Sequence, residues 1–164
     1  MIKLIGNEKL DDVLQLIQEV VEGLNSDGID QWDEKYPARE DLETDILNET
    51  AYGYFDSGRL SAYIVLNEEV EPQYGEVEWE YDSGRPLMIH RLSVHPDLKG
   101  RGIGRAMVSF AEAEAFERGY QAVRLDAFSM NPAALRLYEK SGYRRAGSVH
   151  FRKGQFYLFE KKLK

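Results

Sequence analysis

The sequence predicts a single domain of mixed α/β class, and three observations predict it. Apolar residues recur at helical spacing near the N-terminus. Short runs rich in branched and aromatic residues then exchange with further helical stretches, and glycines and prolines fall between them. With 43% hydrophobic and 30% charged residues, the 164-residue chain can bury one substantial core, so one domain over residues 1–164 is expected.

Ile2 to Ile5 reads as a first strand. Leu10, Val13, Leu14, Ile17, Val20 and Val21 then mark an amphipathic helix, which Gly23 and Asn25 are expected to break. A polar connection holding Gly28, Trp32, Tyr36 and Pro37 leads to a short helix over 39–47 with acids in its first turn, where the helix dipole favours them. Ala51 to Phe55 and Leu60 to Leu66 flank Asp56-Ser57-Gly58 and predict a hairpin. Strict alternation follows: Glu76, Glu78, Glu80 and Asp82 interleave with Val77, Trp79 and Tyr81, which predicts a strand with one acidic and one aromatic face. That segment reads either as a solvated hairpin extension or as an acceptor surface, and its aromatic face could bury against a second copy in a homodimer.

Leu87 to Val94 predicts a largely buried strand ended by His95-Pro96. Gly100 to Gly104 opens a helix that closes near Gly119; Ala122 to Phe128 is a strand; Pro132 to Lys140 is a helix stopped at Gly142; and 143–149 with 156–161 form a closing pair of strands.

Composition narrows the chemistry. The chain has no cysteine, which excludes disulfides, zinc-thiolate sites and a cysteine nucleophile and suits a reducing compartment. The N-terminal apolar stretch turns polar at Gly6 and Asn7, and no run approaches membrane-spanning length, so a cytoplasmic protein without a membrane partner is expected. A net charge of -8 disfavours a nucleic-acid partner and suits cationic ones. His90, His95 and His150 are the only histidines and lack zinc-ligand spacing, so no metal is expected.

The most informative stretch runs from Leu92 to Arg105. A glycine-rich turn between a strand and a helix leaves backbone N–H groups at the positive end of the helix dipole, which makes an anion cradle. Gly102 and Gly104 place no side chain between a phosphate and the backbone, while Lys99, Arg101 and Arg105 supply positive charge. Neither the Gly-Lys-Ser/Thr ending of a Walker loop nor the Gly-x-Gly-x-x-Gly of a dinucleotide fold is present.

Lys99-x-x-Gly102-x-Gly104 resembles the acetyl-CoA pyrophosphate loop of the GNAT superfamily of N-acetyltransferases, with Lys99 where the family usually has Arg or Gln. A second segment, Asn131-Pro132-Ala133-Ala134-Leu135-Arg136-Leu137-Tyr138-Glu139-Lys140-Ser141-Gly142-Tyr143, resembles the family's Asn-helix-Leu-Tyr-Glu-Lys-Gly-Phe signature, in family order. The resemblance implies a seven-stranded, mostly antiparallel sheet with helices on both faces, an acceptor-side half at 1–56 and an acetyl-CoA core at 87–147. It implies that the backbone of Leu92 and Val94 pairs with the pantetheine arm, that Gly100, Arg101, Gly102, Ile103, Gly104 and Arg105 hold the pyrophosphate, and that Asn131 steadies the arm. Tyr138 would protonate the departing thiolate, against the alternative of an ordinary core aromatic.

The expected reaction is acetyl transfer to a primary amine of a small cationic molecule or a peptide. A lysine-like amine of pKa about 10.4 is neutral in roughly one molecule per thousand at pH 7.4, so a base is wanted. His90 is the candidate, with a hydrogen-bonded strand histidine as the competing reading. The resemblance implies that the connection between the first two helices borders the acceptor, which makes Trp32 and Tyr36, beside Asp30, Gln31 and Asp33, candidates for the acceptor side, with a hydrophobic lid or a core anchor as the alternatives for Trp32. The rival function is a catalytically weak acyl-CoA sensor.

Overall fold

The computed structural model describes residues 1–163. Seven strands form one sheet in the order β1-β2-β3-β4-β5-β7-β6: β1 Ile2–Leu4, β2 Ala51–Asp56, β3 Arg59–Asn67, β4 Pro86–Val94, β5 Ala122–Phe128, β6 Arg144–Phe151 and β7 Gly154–Lys162. Among the described residues the four α-helices are α1 Leu10–Ser26, α2 Arg39–Leu47, α3 Ile103–Glu117 and α4 Pro132–Lys140. The sheet is mostly antiparallel, with β4 and β5 parallel. The chain divides into two compact units, 1–65 with 91–107 and 66–90 with 108–164.

In the first unit, β1 pairs with β2 and β2 with β3. The β2–β3 turn has Ser57 at φ 52° and Gly58 at φ 82°, positive at both central residues as a hairpin with right-handed strand twist demands. α1 buries Leu10, Val13, Leu16, Ile17, Val20 and Leu24, a single stripe at three-to-four spacing that packs with Trp32, Leu42, Ile46 and Tyr63 in one apolar core. The helix does not stop at Gly23. That glycine lies so close to Pro96 that a Cβ would stand 2.7 Å from its Cγ, so it serves a close approach rather than a break. α2 starts with Asp41 Oδ2 accepting from the Ala38 N–H at 2.8 Å, which satisfies one otherwise unpaired donor at the helix entrance.

In the second unit, β5 pairs with β7 over its whole length and β7 with β6, with a bulge between Arg145 and Gly147. The expected strand over 76–82 is absent: Pro72–Glu76 is a 3-10 turn and 77–85 is irregular. The reason is a competing acceptor. Glu160, fully buried on β7, accepts from the backbone N–H groups of Glu80 at 2.8 Å and Tyr81 at 3.3 Å, which takes them from any strand ladder. Trp79 stacks on the Arg124 guanidinium at 4.2 Å and donates its indole N–H to Tyr74 O at 2.9 Å, so the alternation marks anchors, not a pleat.

Candidate active site

In the first unit, β4 leads through His95 and the 3-10 turn Pro96–Leu98 into the glycine-rich loop. Gly100 and Gly102 both sit at φ 80°, the left-handed region that a side chain disfavours, and a Cβ at either would meet nothing within 4 Å. Both glycines therefore answer a backbone demand and leave open space over the loop. The first α3 bond runs from Ala106 N–H to Gly102 O at 3.0 Å, so the N–H groups of Ile103, Gly104 and Arg105 form the helix's open first turn. Arg101 and Arg105 are exposed, and Lys99 Nζ lies 3.6 Å from Asp27 Oδ2. Two left-handed glycines, a free helix start and exposed arginines fit a pyrophosphate. Ile103 turns its side chain inward and offers only its amide, while Leu92 and Val94 are half-buried on either side of buried Ser93.

A polar network is buried in the same unit. Asp45, 4% exposed, accepts from Tyr63 Oη at 2.9 Å and from Arg91 through Nε at 2.8 Å and through Nη2. Arg91 Nη1 donates to Tyr36 Oη at 2.8 Å, and the guanidinium lies 5.9 Å from the Tyr36 ring centre. Burial pulls the Arg91 pKa down, but its bonds to Asp45 and the neighbouring Tyr36 outweigh it and leave the group firmly charged. Burial, followed by the Asp45 charge, pushes the Tyr63 phenol well up. Arg91 itself has φ 51° in the middle of β4, so the regular alternation of side chains along the strand is interrupted between His90 and Leu92. Trp32 is 7% exposed within the core, as a core anchor would be, whereas Tyr36 is 38% exposed beside the Arg91 guanidinium. Asp33 Oδ1 accepts from the Lys35 and Tyr36 N–H groups and so shapes the loop.

In the second unit, Tyr138 is buried on α4, its ring 6.1 Å from Tyr143 and 6.0 Å from Phe159. Burial, then the charge of Asp126, raises its phenol well above the ordinary value. Asp126, half-buried on β5, accepts from Tyr74 Oη at 2.8 Å. Burial pushes its carboxyl up to about 6, against the lowering effect of the Tyr74 bond. Asn131 Oδ1 accepts from the Ala134 N–H at 3.2 Å and caps α4, a structural duty its place before Pro132 already suits. His90 is half-buried at the point where β4 leaves this unit. Among the described residues, no group of three or more His, Asp or Glu is placed to hold a metal ion, and no helix is long and apolar enough to cross a membrane.

Residues 17–143 match the model of the acetyltransferase (GNAT) family. The chain belongs to that family. An acetyltransferase of Sodalis glossinidius is 36% identical over 75 residues, 46% of this chain and 52% of that protein, and one of Agrobacterium fabrum is 38% identical over 63 residues, 38% and 44%. The chain thus spans about half the length of the curated relatives it matches. A GNAT family acetyltransferase from Streptococcus agalactiae superposes with a TM-score of 0.88 at 25% identity, covering 100% of this chain and 95% of that one. The PaiA N-acetyltransferase of Thermoplasma acidophilum, solved in complex with coenzyme A, shares the fold with a TM-score of 0.75 at 19% identity, covering 99% of each chain.

Within this GNAT chain the structure adds two groups that sequence reasoning passed over. Asp126 is one of only two charged residues in the apolar strand Ala122–Phe128, a signal that was available but unspecific. Asp45 lies in the last turns of α2, and no local pattern in the sequence links it to Arg91, 46 residues away.

Proposed function

We propose that this protein transfers the acetyl group of acetyl-CoA directly to a primary amine, most suitably a small cationic one. The loop of the first unit is the carrying observation: Gly100 and Gly102 are both held at φ 80° before a free helix start, an expenditure of strain-tolerant residues that a pyrophosphate explains. Family membership and the coenzyme A complex of a fold neighbour support the same ligand.

In this reading the amine nitrogen attacks the thioester carbonyl carbon, the C–N bond forms, and the C–S bond breaks with its electron pair on sulfur. Tyr138 supplies the proton to that sulfur. Its raised pKa keeps it protonated throughout the neutral range. Transfer to a thiolate of ordinary pKa, about 8.5, is uphill, so the proton moves as the C–S bond breaks rather than before. The nitrogen's proton needs an acceptor. Asp126, raised to about 6, is ionised at neutral pH yet more basic than an ordinary carboxylate, and its charge reaches Tyr138. It therefore joins His90 as a candidate base. A second proton transfer from Asp126 to the tyrosinate resets both groups.

A net charge of -8 supports a cationic acceptor. Tyr36, 38% exposed beside the Arg91 guanidinium, is the aromatic candidate for the acceptor side, and Trp32 acts only by anchoring the loop. The test is CoA release across a panel of polyamines, amino acids, aminoglycosides and short peptides. Acetyl-CoA binding without release for any amine would favour a sensor of acyl-CoA.

A further inference from the structure

α1 meets the segment before the phosphate loop at three points, all within the first unit. His95 Nε2 lies 2.6 Å from Glu19 Oε2, Pro96 packs on Gly23, and Lys99 pairs with Asp27 at 3.6 Å. Glu19, Gly23 and Asp27, the last at the helix C-cap, are spaced four apart, so they make one stripe that residues 95, 96 and 99 follow.

His95 is the buried member of the set, 5% exposed. Its backbone N–H donates to Ser61 O at 2.9 Å and its Nδ1 accepts from the Asp97 N–H at 3.1 Å. With Nδ1 accepting, the neutral ring carries its proton on Nε2 and donates it to Glu19. The Glu19 carboxyl is held below its ordinary value, first by the Gln15 amide and, against the pull of burial, by His95. Each hydrogen-bonding position of the residue is therefore used to join β3, α1 and the start of the loop.

We propose that His95 is a positioning residue for cofactor binding: its imidazole latches the 95–99 segment to the Glu19–Gly23–Asp27 stripe of α1, so that the loop amides stand in their anion-binding arrangement before the ligand arrives. The proposal rests on the reading of residues 99–105 as a CoA pyrophosphate loop. A loop that must be ordered during binding loses affinity by the cost of that ordering, so the latch acts on cofactor affinity and leaves the chemical step to other groups.

The test is calorimetric titration of CoA into wild type, His95→Ala, His95→Asn, Glu19→Ala and Gln18→Ala, with amide hydrogen exchange over residues 95–105 of each free protein. His95→Ala is expected to raise Kd about tenfold and Glu19→Ala about threefold, both with faster exchange in the loop. His95→Asn, whose Oδ1 can still accept from the Asp97 N–H, recovers part of the loss. Gln18→Ala, which removes only an exposed bond to Glu22, leaves Kd unchanged. If His95→Ala does not fold, Glu19→Ala carries the test, since the Glu19 side chain is 36% exposed. Variants that bind CoA within twofold of wild type with unchanged loop exchange overturn the latch and leave the loop reading standing. A wild type that does not bind CoA overturns both.

Discussion

Replacing Asp126 by Asn should make the protein more stable and less active, and the stability gain should depend on pH in a defined way. Burial raises the Asp126 carboxyl from its ordinary 3.8 to about 6 in the folded chain. Between those values the folded state binds the proton that the unfolded chain has released, so wild-type stability falls as pH rises through this window and levels off above it. The difference is about two pH units, and at roughly 1.4 kcal/mol each the ionised carboxylate costs about 3 kcal/mol at pH 8. Asp126 is half-buried, so this figure is a ceiling. Asparagine can still accept from Tyr74 Oη and carries no charge, so Asp126→Asn should melt up to about 6–12 °C higher at pH 8, with the gain vanishing below pH 4. Differential scanning calorimetry of both proteins from pH 4 to pH 8 is the assay. A gain that does not change with pH, or a variant less stable at pH 8, would show that burial of the Asp126 carboxylate does not cost stability in the folded chain. A large fall in turnover alongside the gain would match a stability cost retained for chemistry.

Tyr138→Phe should lower kcat about 100-fold or more and change the Kd of CoA less than twofold, read by stopped-flow thiol release and calorimetry; unchanged turnover removes Tyr138 from the role of acid. Asp45→Ala leaves the Arg91 guanidinium buried without its carboxylate and should cost about 3–5 kcal/mol in denaturant unfolding. Asp45→Asn, which keeps an acceptor for Tyr63, should cost less. Gly102→Ala forces a Cβ onto φ 80° and should cost about 1–2 kcal/mol in the same unfolding assay, together with weaker CoA binding.

The sequence made the regular elements legible wherever a period and its stop signals coincided. β5 and α4 fall on 122–128 and 132–140 as expected, because Pro132 and Gly142 fix the helix ends and the strand is continuously apolar apart from Arg124 and Asp126. Periodicity failed at 76–82, since alternation records which side chains are anchored but not what their backbone bonds to, and the buried Glu160 that claims those N–H groups lies some 80 residues away. Gly23 misled in the opposite sense: its composition signal is that of a breaker, while its neighbour Pro96 makes it a contact. The turn at the glycine-rich loop was readable because glycine spacing reports the left-handed backbone conformation that Gly100 and Gly102 adopt. The Arg91–Asp45 pair and the Asp126–Tyr74 bond were not, because each joins single residues across 46 and 52 positions without any local pattern.

A role for the glycine-rich loop in acetyl transfer requires that the protein bind acetyl-CoA. The most direct measurement is titration of acetyl-CoA into the purified protein by calorimetry, followed by thiol-release assay of the bound protein against the amine panel. Saturable one-to-one binding and rapid CoA release with one class of amine are expected. Absence of acetyl-CoA binding would remove the loop from this role.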